Sequence, residues 1–230
     1  MAPPDPIKDA DARAFTHSRA YDLLCATPSI LVYGFACGGD LLLIFREWPD
    51  AHDLRSVTTI ANQLATLLFF AMQILLFLIR RLPLRKSEGL WPRATAILGA
   101  NFNFALLLLP RVTLNEDWTV FAAALTIIGT LTSAAVLGFL GRSFSILPEA
   151  RKLVAAGPYR VIRHPLYLAE FISMLGIMLQ YRQPWAAAIA LGTVVLQIRR
   201  MGFEEAVLRR NFPAYGAYQQ STARLIPGLY

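Results

Sequence analysis

Four stretches of this chain, roughly Pro28–Phe45, Val57–Ile79, Ala94–Leu109 and Trp118–Leu140, are apolar over lengths near the ~20 residues that a helix needs to cross a bilayer. Two shorter ones, Leu166–Leu179 and Trp185–Ile198, follow, separated only by "QYRQP". Inside hydrocarbon every backbone polar group must be bonded within the protein, and long apolar runs without alternation meet that demand as helices. The expectation is an all-α, polytopic membrane helical bundle of about six membrane helices, the last two forming a helical hairpin around the turn at Pro184. Composition agrees: 56% of the 230 residues are hydrophobic and the mean hydropathy is +0.46, too apolar for an ordinary soluble domain.

Charge orients the bundle. All but four of the 22 lysines and arginines (Arg46, Arg55, Arg111 and Arg182) fall on one side if the N-terminus, the 80–93 and 142–163 loops and the tail share it. By the positive-inside bias that side is the cytoplasm, so both termini are expected there, with an even number of crossings. The same placement makes nucleic acid an unneeded partner for the net charge of +7. The opposite loops, "REWPDAHDLR" and "PRVTLNEDW", are short, so chemistry is expected at the cytoplasmic face, in a bacterial inner membrane. Residues 1–27 form an N-terminal segment that does not read as a signal peptide. Within it, about Asp9–Thr27 reads as an interfacial helix, with a disordered start through the Pro-rich first six residues as the alternative. Residues 28–141 form a four-helix membrane region, and 142–230 carry the remaining motifs. Cys25 and Cys37 show neither metal nor disulfide spacing, and no metal ligand set is read.

Within the spans, Gly129/Ser133 and Ala134/Gly138 recur at i, i+4, the pattern of close helix packing. Asp40, Asn62, Gln63, Gln73, Asn101 and Asn103 are polar groups in costly surroundings, where interhelical bonds or function retain them.

The densest chemistry is in "GPYRVIRHPLYLAE", residues 157–170. Gly157-Pro158 turns the chain. Pro165 suits the first turn of a helix and holds His164 extended. The free N–H groups of that helix, beside Arg163 and His164, form a natural site for a carboxylate or phosphate. Tyr167 and Glu170, three apart, share a face. Arginines alone would serve as interface anchors, but anchoring does not require the order Arg-His-Pro-x-Tyr. A second cluster lies in the tail, "QIRRMGFEEAVLRRNFPAYGAY". Here Arg200 and Glu204 are four apart, Glu204-Glu205 begin a helix that leaves the membrane, and Tyr215 and Tyr218 are placed to pack back. Cations with a helix end in one place, and carboxylates with aromatics in another, suit a zwitterionic ligand that carries an aromatic ring.

"LGRSFS…GPYRVIRHPLYLAE", followed by a hairpin and "EE…FPAYGAY…RLIPGL", resembles the isoprenylcysteine carboxyl methyltransferase and phospholipid methyltransferase superfamily of integral membrane enzymes. The resemblance covers about residues 138–230; the N-terminal half matches only in hydropathy. It implies S-adenosylmethionine as methyl donor, held between the "RHPLY" helix entrance and the folded-back tail. Tyr159, Arg163, His164, Pro165, Tyr167 and Leu168 would line the pocket, closed by Tyr215 and Tyr218. Glu204 and Glu205 would receive the ammonium or ribose hydroxyls. Ala169 departs from the Gly of many relatives. The implied reaction is in-line transfer of a methyl group to a lipophilic acceptor, either a small molecule or a lipidated one. Arg200 would pair with an acceptor carboxylate, or Glu204 would orient an amine; a thiol acceptor remains a third choice, and the sequence does not choose. Two rivals remain. "HPLYLAE" also fits the His-Pro-x-Tyr-x-x-Glu pattern of NADPH-dependent sterol and steroid reductases, although Leu166 stands where those usually carry Asn. A non-catalytic transporter or assembly protein would draw on Asp40 and the intramembrane amides.

Overall fold

A computed structural model describes residues 18–48 and 54–228. Residues 1–17, and with them the Pro-rich start and half of the Asp9–Thr27 segment read as an interfacial helix, lie outside the described residues. So do 49–53 in the loop after the first span. Seven α-helices are present among the described residues: α1 (Arg19–Glu47), α2 (Leu54–Ile79), α3 (Leu90–Asn101), α4 (Glu116–Leu140), α5 (Pro165–Met178), α6 (Trp185–Asn211) and α7 (Tyr215–Ser221). The only strands among them are the two-residue β1 (Arg85–Lys86) and β2 (Glu149–Ala150), paired antiparallel. The molecule is an all-α membrane bundle. Four of its helices, α1, α2, α4 and α6, are long and apolar enough to cross a bilayer. Their outer faces carry bare apolar side chains such as Phe35, 86% exposed, as lipid-facing surfaces do.

Three segments differ from the sequence reading. The helix expected to start at Pro28 starts at Arg19, where the Ser18 hydroxyl accepts from the Tyr21 N–H at 3.2 Å as an N-cap. Residues 19–27 are therefore the first turns of α1. The segment read as Ala94–Leu109 is α3 continued by a 3-10 helix, Phe102–Leu108. The change of helix type falls at Asn101, whose side-chain amide donates to the Ile97 carbonyl at 2.8 Å in competition with the backbone ladder. Most consequential, α6 does not stop near Ile198. It runs unbroken to Asn211, so Arg200, Glu204 and Glu205 sit within one helix and do not begin another.

Of the small residues of α4, Gly129, Ser133 and Ala134 are buried as close packing requires, whereas Gly138 is exposed and has open space beside it. A β-carbon on Gly129 would lie 2.3 Å from the Ser173 nitrogen, and one on Gly176 would lie 2.5 Å from the Ala122 carbonyl oxygen. The backbones of α4 and α5 therefore meet without intervening side chains. Ala169 belongs to this contact through its carbonyl, which faces Gly129, and it does not line the cleft described below.

The polar segments gather at one end of the bundle. There the start of α1, the end of α2, the 141–164 loop and the tail touch. β1 and β2 pin the 80–88 loop to the 148–151 segment, with Leu84 and Ser87 N–H groups donating to Ala150 and Pro148 at 2.7 and 3.0 Å. At the opposite end, Leu106, Tyr181 and Ala186 form a small core cluster under the α5–α6 turn.

Candidate active site

The "RHPLY" stretch is built as a helix entrance. Gly157 has φ +59°, and any side chain there would collide with the Phe139 ring, so the Gly157-Pro158 turn requires glycine. Pro165 is the first residue of α5, and no side chain caps that end. The tail then joins this entrance. Ile162 and Ala223 form a parallel bridge, and the Arg163 and His164 N–H groups donate to Ala223 and Arg224 at 2.8 and 3.1 Å. The Arg163 guanidinium donates to the Gln219 carbonyl at 2.9 Å and to that of Thr222. The Tyr218 hydroxyl donates to the Tyr159 carbonyl at 2.7 Å.

Two adjacent carboxylates of α6 serve different purposes. Glu205 Oε1 is a hub, 3.0 Å from Arg163 Nε, 3.1 Å from His164 Nε2 and 3.3 Å from Arg224 Nε. It locks the helix entrance to the tail and lies behind the cleft wall. Glu204 faces the cleft itself. Its Oε1 accepts from the Tyr167 hydroxyl and, at 3.1 Å, from Arg200 Nε. The Arg200–Glu204 pair, at a spacing usual for solvated surface pairs, is instead largely buried, with Arg200 also stacked 5.1 Å over the Tyr167 ring. Behind it, Arg200 contacts Gln197 Oε1 at 3.5 Å, and Gln197 donates to Glu170 Oε2 at 3.1 Å. Tyr167 and Glu170 thus feed one polar chain that passes through α6.

A cleft of about 120 Å³ opens between these elements. Tyr159, Arg163, His164, Tyr167, Arg200, Glu204, Tyr215 and Tyr218 all border it. Of the residues expected there, three stand back. Pro165 is buried in the first turn of α5, Leu168 packs against the core of Tyr167, Met201 and Leu225, and Glu205 is the hub just described. Burial pushes the Tyr218 hydroxyl up to about 12 and holds those of Tyr159 and Tyr215 well above the ordinary value, so all three remain protonated donors.

The far wall was not anticipated. It is the 143–154 segment, including Ser143, Ser145, Glu149, Arg151 and Lys152. It is anchored by a second ionic cluster, in which Asp22 of α1 bonds Arg80 Nε and Arg151 Nη2, both at 2.8 Å. Arg151 also meets Glu149 at 2.6 Å and the Arg81 carbonyl, and Ser145 donates to Glu149 at 2.9 Å. The "LGRSFS" motif pointed to this loop without assigning it a wall. Elsewhere, among the described residues, Asp40 Oδ2, Asn62 Oδ1 and Asn103 Oδ1 are buried without a hydrogen-bond partner, and no three His, Cys, Asp or Glu side chains gather in a metal-binding group.

Comparison with known proteins matches residues 118–215 to the phospholipid methyltransferase family. The matched region holds α4, α5, α6 and the helix entrance between them. Similar curated proteins include a nickel-cobalt-cadmium resistance protein, NccN, of Alcaligenes xylosoxydans xylosoxydans. It is 30% identical over 54% of this chain and 61% of its own length. Protein-S-isoprenylcysteine O-methyltransferases A and B of Arabidopsis thaliana are 32% and 30% identical, each over 50% of this chain and 62% of its own length. The chain thus spans about three-fifths of the length of the curated relatives it matches.

Proposed function

We propose, from the match of residues 118–215 to the phospholipid methyltransferase family and the similarity to the Arabidopsis isoprenylcysteine O-methyltransferases, that the chain belongs to that superfamily and is a membrane methyltransferase. It uses S-adenosylmethionine and acts on a lipophilic acceptor, with its cleft on the cytoplasmic side of an inner membrane and both termini on that side. One observation carries the reading: the cleft pairs an uncapped helix N-terminus at His164-Pro165 with the Glu204 carboxylate across from it. The donor fits that donor set. Its carboxylate suits the N–H end of α5, and its ammonium or ribose hydroxyls suit Glu204, whose side chain keeps 21% exposure. Arg163 and Glu205, spent on the tail, position that helix end without contacting the ligand. Tyr159, Tyr215 and Tyr218 supply aromatic walls and donors. Arg200, Pro165 and Leu168 hold Tyr167 and Glu204 in place.

When bound, the donor supplies an already activated methyl group. The protein's task is then to align the acceptor and keep water out. Arg200 fixes Glu204 through a largely buried ion pair at 3.1 Å. A carboxylate or thiolate acceptor needs no base, whereas an amine must lose its proton, and Glu204 is the group at hand to receive it. The Arabidopsis relatives are named for a lipidated cysteine carboxyl group, and the apolar flanks of this cleft suit an acceptor of similar lipophilicity.

The test is thermal stability of the purified protein with S-adenosylhomocysteine or NADPH. A ligand at a hundred times its Kd stabilises the native state by about 2.7 kcal/mol. A shift with S-adenosylhomocysteine, weakened by His164→Ala and by Glu204→Ala, is expected. A shift with NADPH alone would replace the reading with a reductase, and no shift with either would favour a non-catalytic protein.

A further inference from the structure

A second cavity, of about 410 Å³ and open to the outside, lies beside the cleft, across the 152–156 segment. Arg81, Arg142 and Lys152 line it, and no carboxylate does. Among the described residues Arg80, Arg151, Arg163, Arg200 and Arg224 make ion pairs, whereas these three cations make none. Their placement is set by two helix ends. Arg81 follows α2 and Arg142 follows α4. The Arg81 N–H donates to the Arg142 carbonyl at 2.8 Å, and Arg142 Nε donates to the Ile79 carbonyl at 2.9 Å. The ends of α2 and α4 are thereby tied together, with Arg81 and Arg142 at the level where both apolar runs stop, which is where lipid phosphates lie.

The surroundings are apolar. Phe139, Leu153 and Val154 complete the lining. From Phe139 an exposed stripe continues along α4 through Ala135, Leu131 and Ile128, at helical spacing, away from the basic end. Three exposed cations bordering one cavity that no carboxylate lines favour an external anion. An apolar track leaving them in the direction of the membrane favours an anion that carries a hydrocarbon chain. Solvated surface charge accounts for neither the cavity nor the track.

We infer that this cavity binds the phosphate headgroup of an anionic membrane lipid, with an acyl chain along the Phe139–Ile128 stripe. Basic pockets between helix ends hold such headgroups elsewhere. The cavity shares Leu140, Ser143, Lys152, Leu153 and Val154 with the cleft, so a lipid here would brace the cleft's far wall. The site does not depend on the methyl-transfer reading.

Native mass spectrometry of the purified full chain, titrated with phosphatidylglycerol or with phosphatidylcholine of the same acyl chains, tests it. Phosphatidylglycerol should be retained preferentially. Arg81→Gln and Lys152→Gln should each weaken its retention by about fivefold. Arg210→Gln, an exposed charge at the far end of α6, should leave it unchanged. Equal retention of the two lipids, or an equal loss in the Arg210 variant, would overturn the inference. Displacement by millimolar inorganic phosphate would make this a site for a soluble phosphate and overturn the lipid assignment. The exposed Lys152 side chain makes no hydrogen bond among the described residues, so its variant keeps the test valid if Arg81→Gln fails to fold.

Discussion

The cleft has two walls, each secured by arginines around a carboxylate, and they differ in depth. Around Asp22 the partners are Arg80 and Arg151, whose side chains are 5% and 0% exposed. Around Glu205 they are Arg163 and Arg224, 11% and 18% exposed, beside the open end of α5. A fully desolvated pair that loses one partner strands a charge in a medium that cannot hydrate it, whereas a partly wet pair can recruit water. The deep cluster should therefore govern whether the bundle holds together. The shallower one should govern whether the binding end keeps its shape.

Asp22→Ala is the sharpest way to break that contrast. It leaves two buried guanidinium groups short of a partner and should cost about 3–5 kcal/mol of stability. Thermal unfolding in detergent reads the loss. The fraction that stays folded should still bind S-adenosylhomocysteine with nearly unchanged affinity. Glu205→Ala should cost less, about 1–3 kcal/mol, because Arg163 keeps its two tail carbonyls and water reaches Arg224. Its affinity for S-adenosylhomocysteine should nevertheless fall at least about tenfold, the equivalent of about 1.4 kcal/mol, as the tail loosens from the helix entrance. If the two variants lost stability and affinity in the same proportion, the walls would not have separate roles.

The two walls were also unequally legible. The near wall lies within a run whose order is itself informative: His-Pro signals a helix start, and Tyr and Glu at short spacing signal a face. Local rules reach such features. Asp22 meets Arg80 and Arg151 across 58 and 129 residues, and no periodicity links an acid in "AYDLLC" to arginines in two distant loops. The helices followed from hydropathy, and the Gly129 contact followed from small-residue spacing. The true end of α6 did not, because Arg199 and Arg200 read as a boundary, whereas burial of Arg200 against Glu204 and Tyr167 carries the helix on past them. The split between Glu204 and Glu205 was likewise hidden. Neighbours on a helix point about 100° apart, and only packing decides which of them faces the cleft.

That split gives a finer test within one wall. Glu204→Gln keeps the side chain's shape and its contact with Tyr167 but removes the charge. Stability should fall by about 1–2 kcal/mol, because the buried Arg200 keeps a hydrogen-bond acceptor but loses its counter-charge. Affinity for S-adenosylhomocysteine should still fall about tenfold through loss of a charge-assisted bond. Isothermal titration beside thermal unfolding separates the two. An unchanged affinity would move the ligand's polar end away from α6.

The smallest effect expected belongs to Tyr218→Phe. Its hydroxyl makes one hydrogen bond, to the Tyr159 carbonyl, and its ring packs 5.8 Å from that of Tyr215. Removing the oxygen leaves the edge-to-face ring contact intact and frees one backbone acceptor, for a cost of about 0.5–1.5 kcal/mol. The lost bond ties α7 directly to the "GPYR" turn, so the loosening should be local. Hydrogen exchange should quicken in 157–163 and 215–225 and leave α1 and α2 unaffected. Exchange that quickened throughout the bundle would mean the tail supports the whole fold, and the division between a deep wall for stability and a shallow wall for binding would fail.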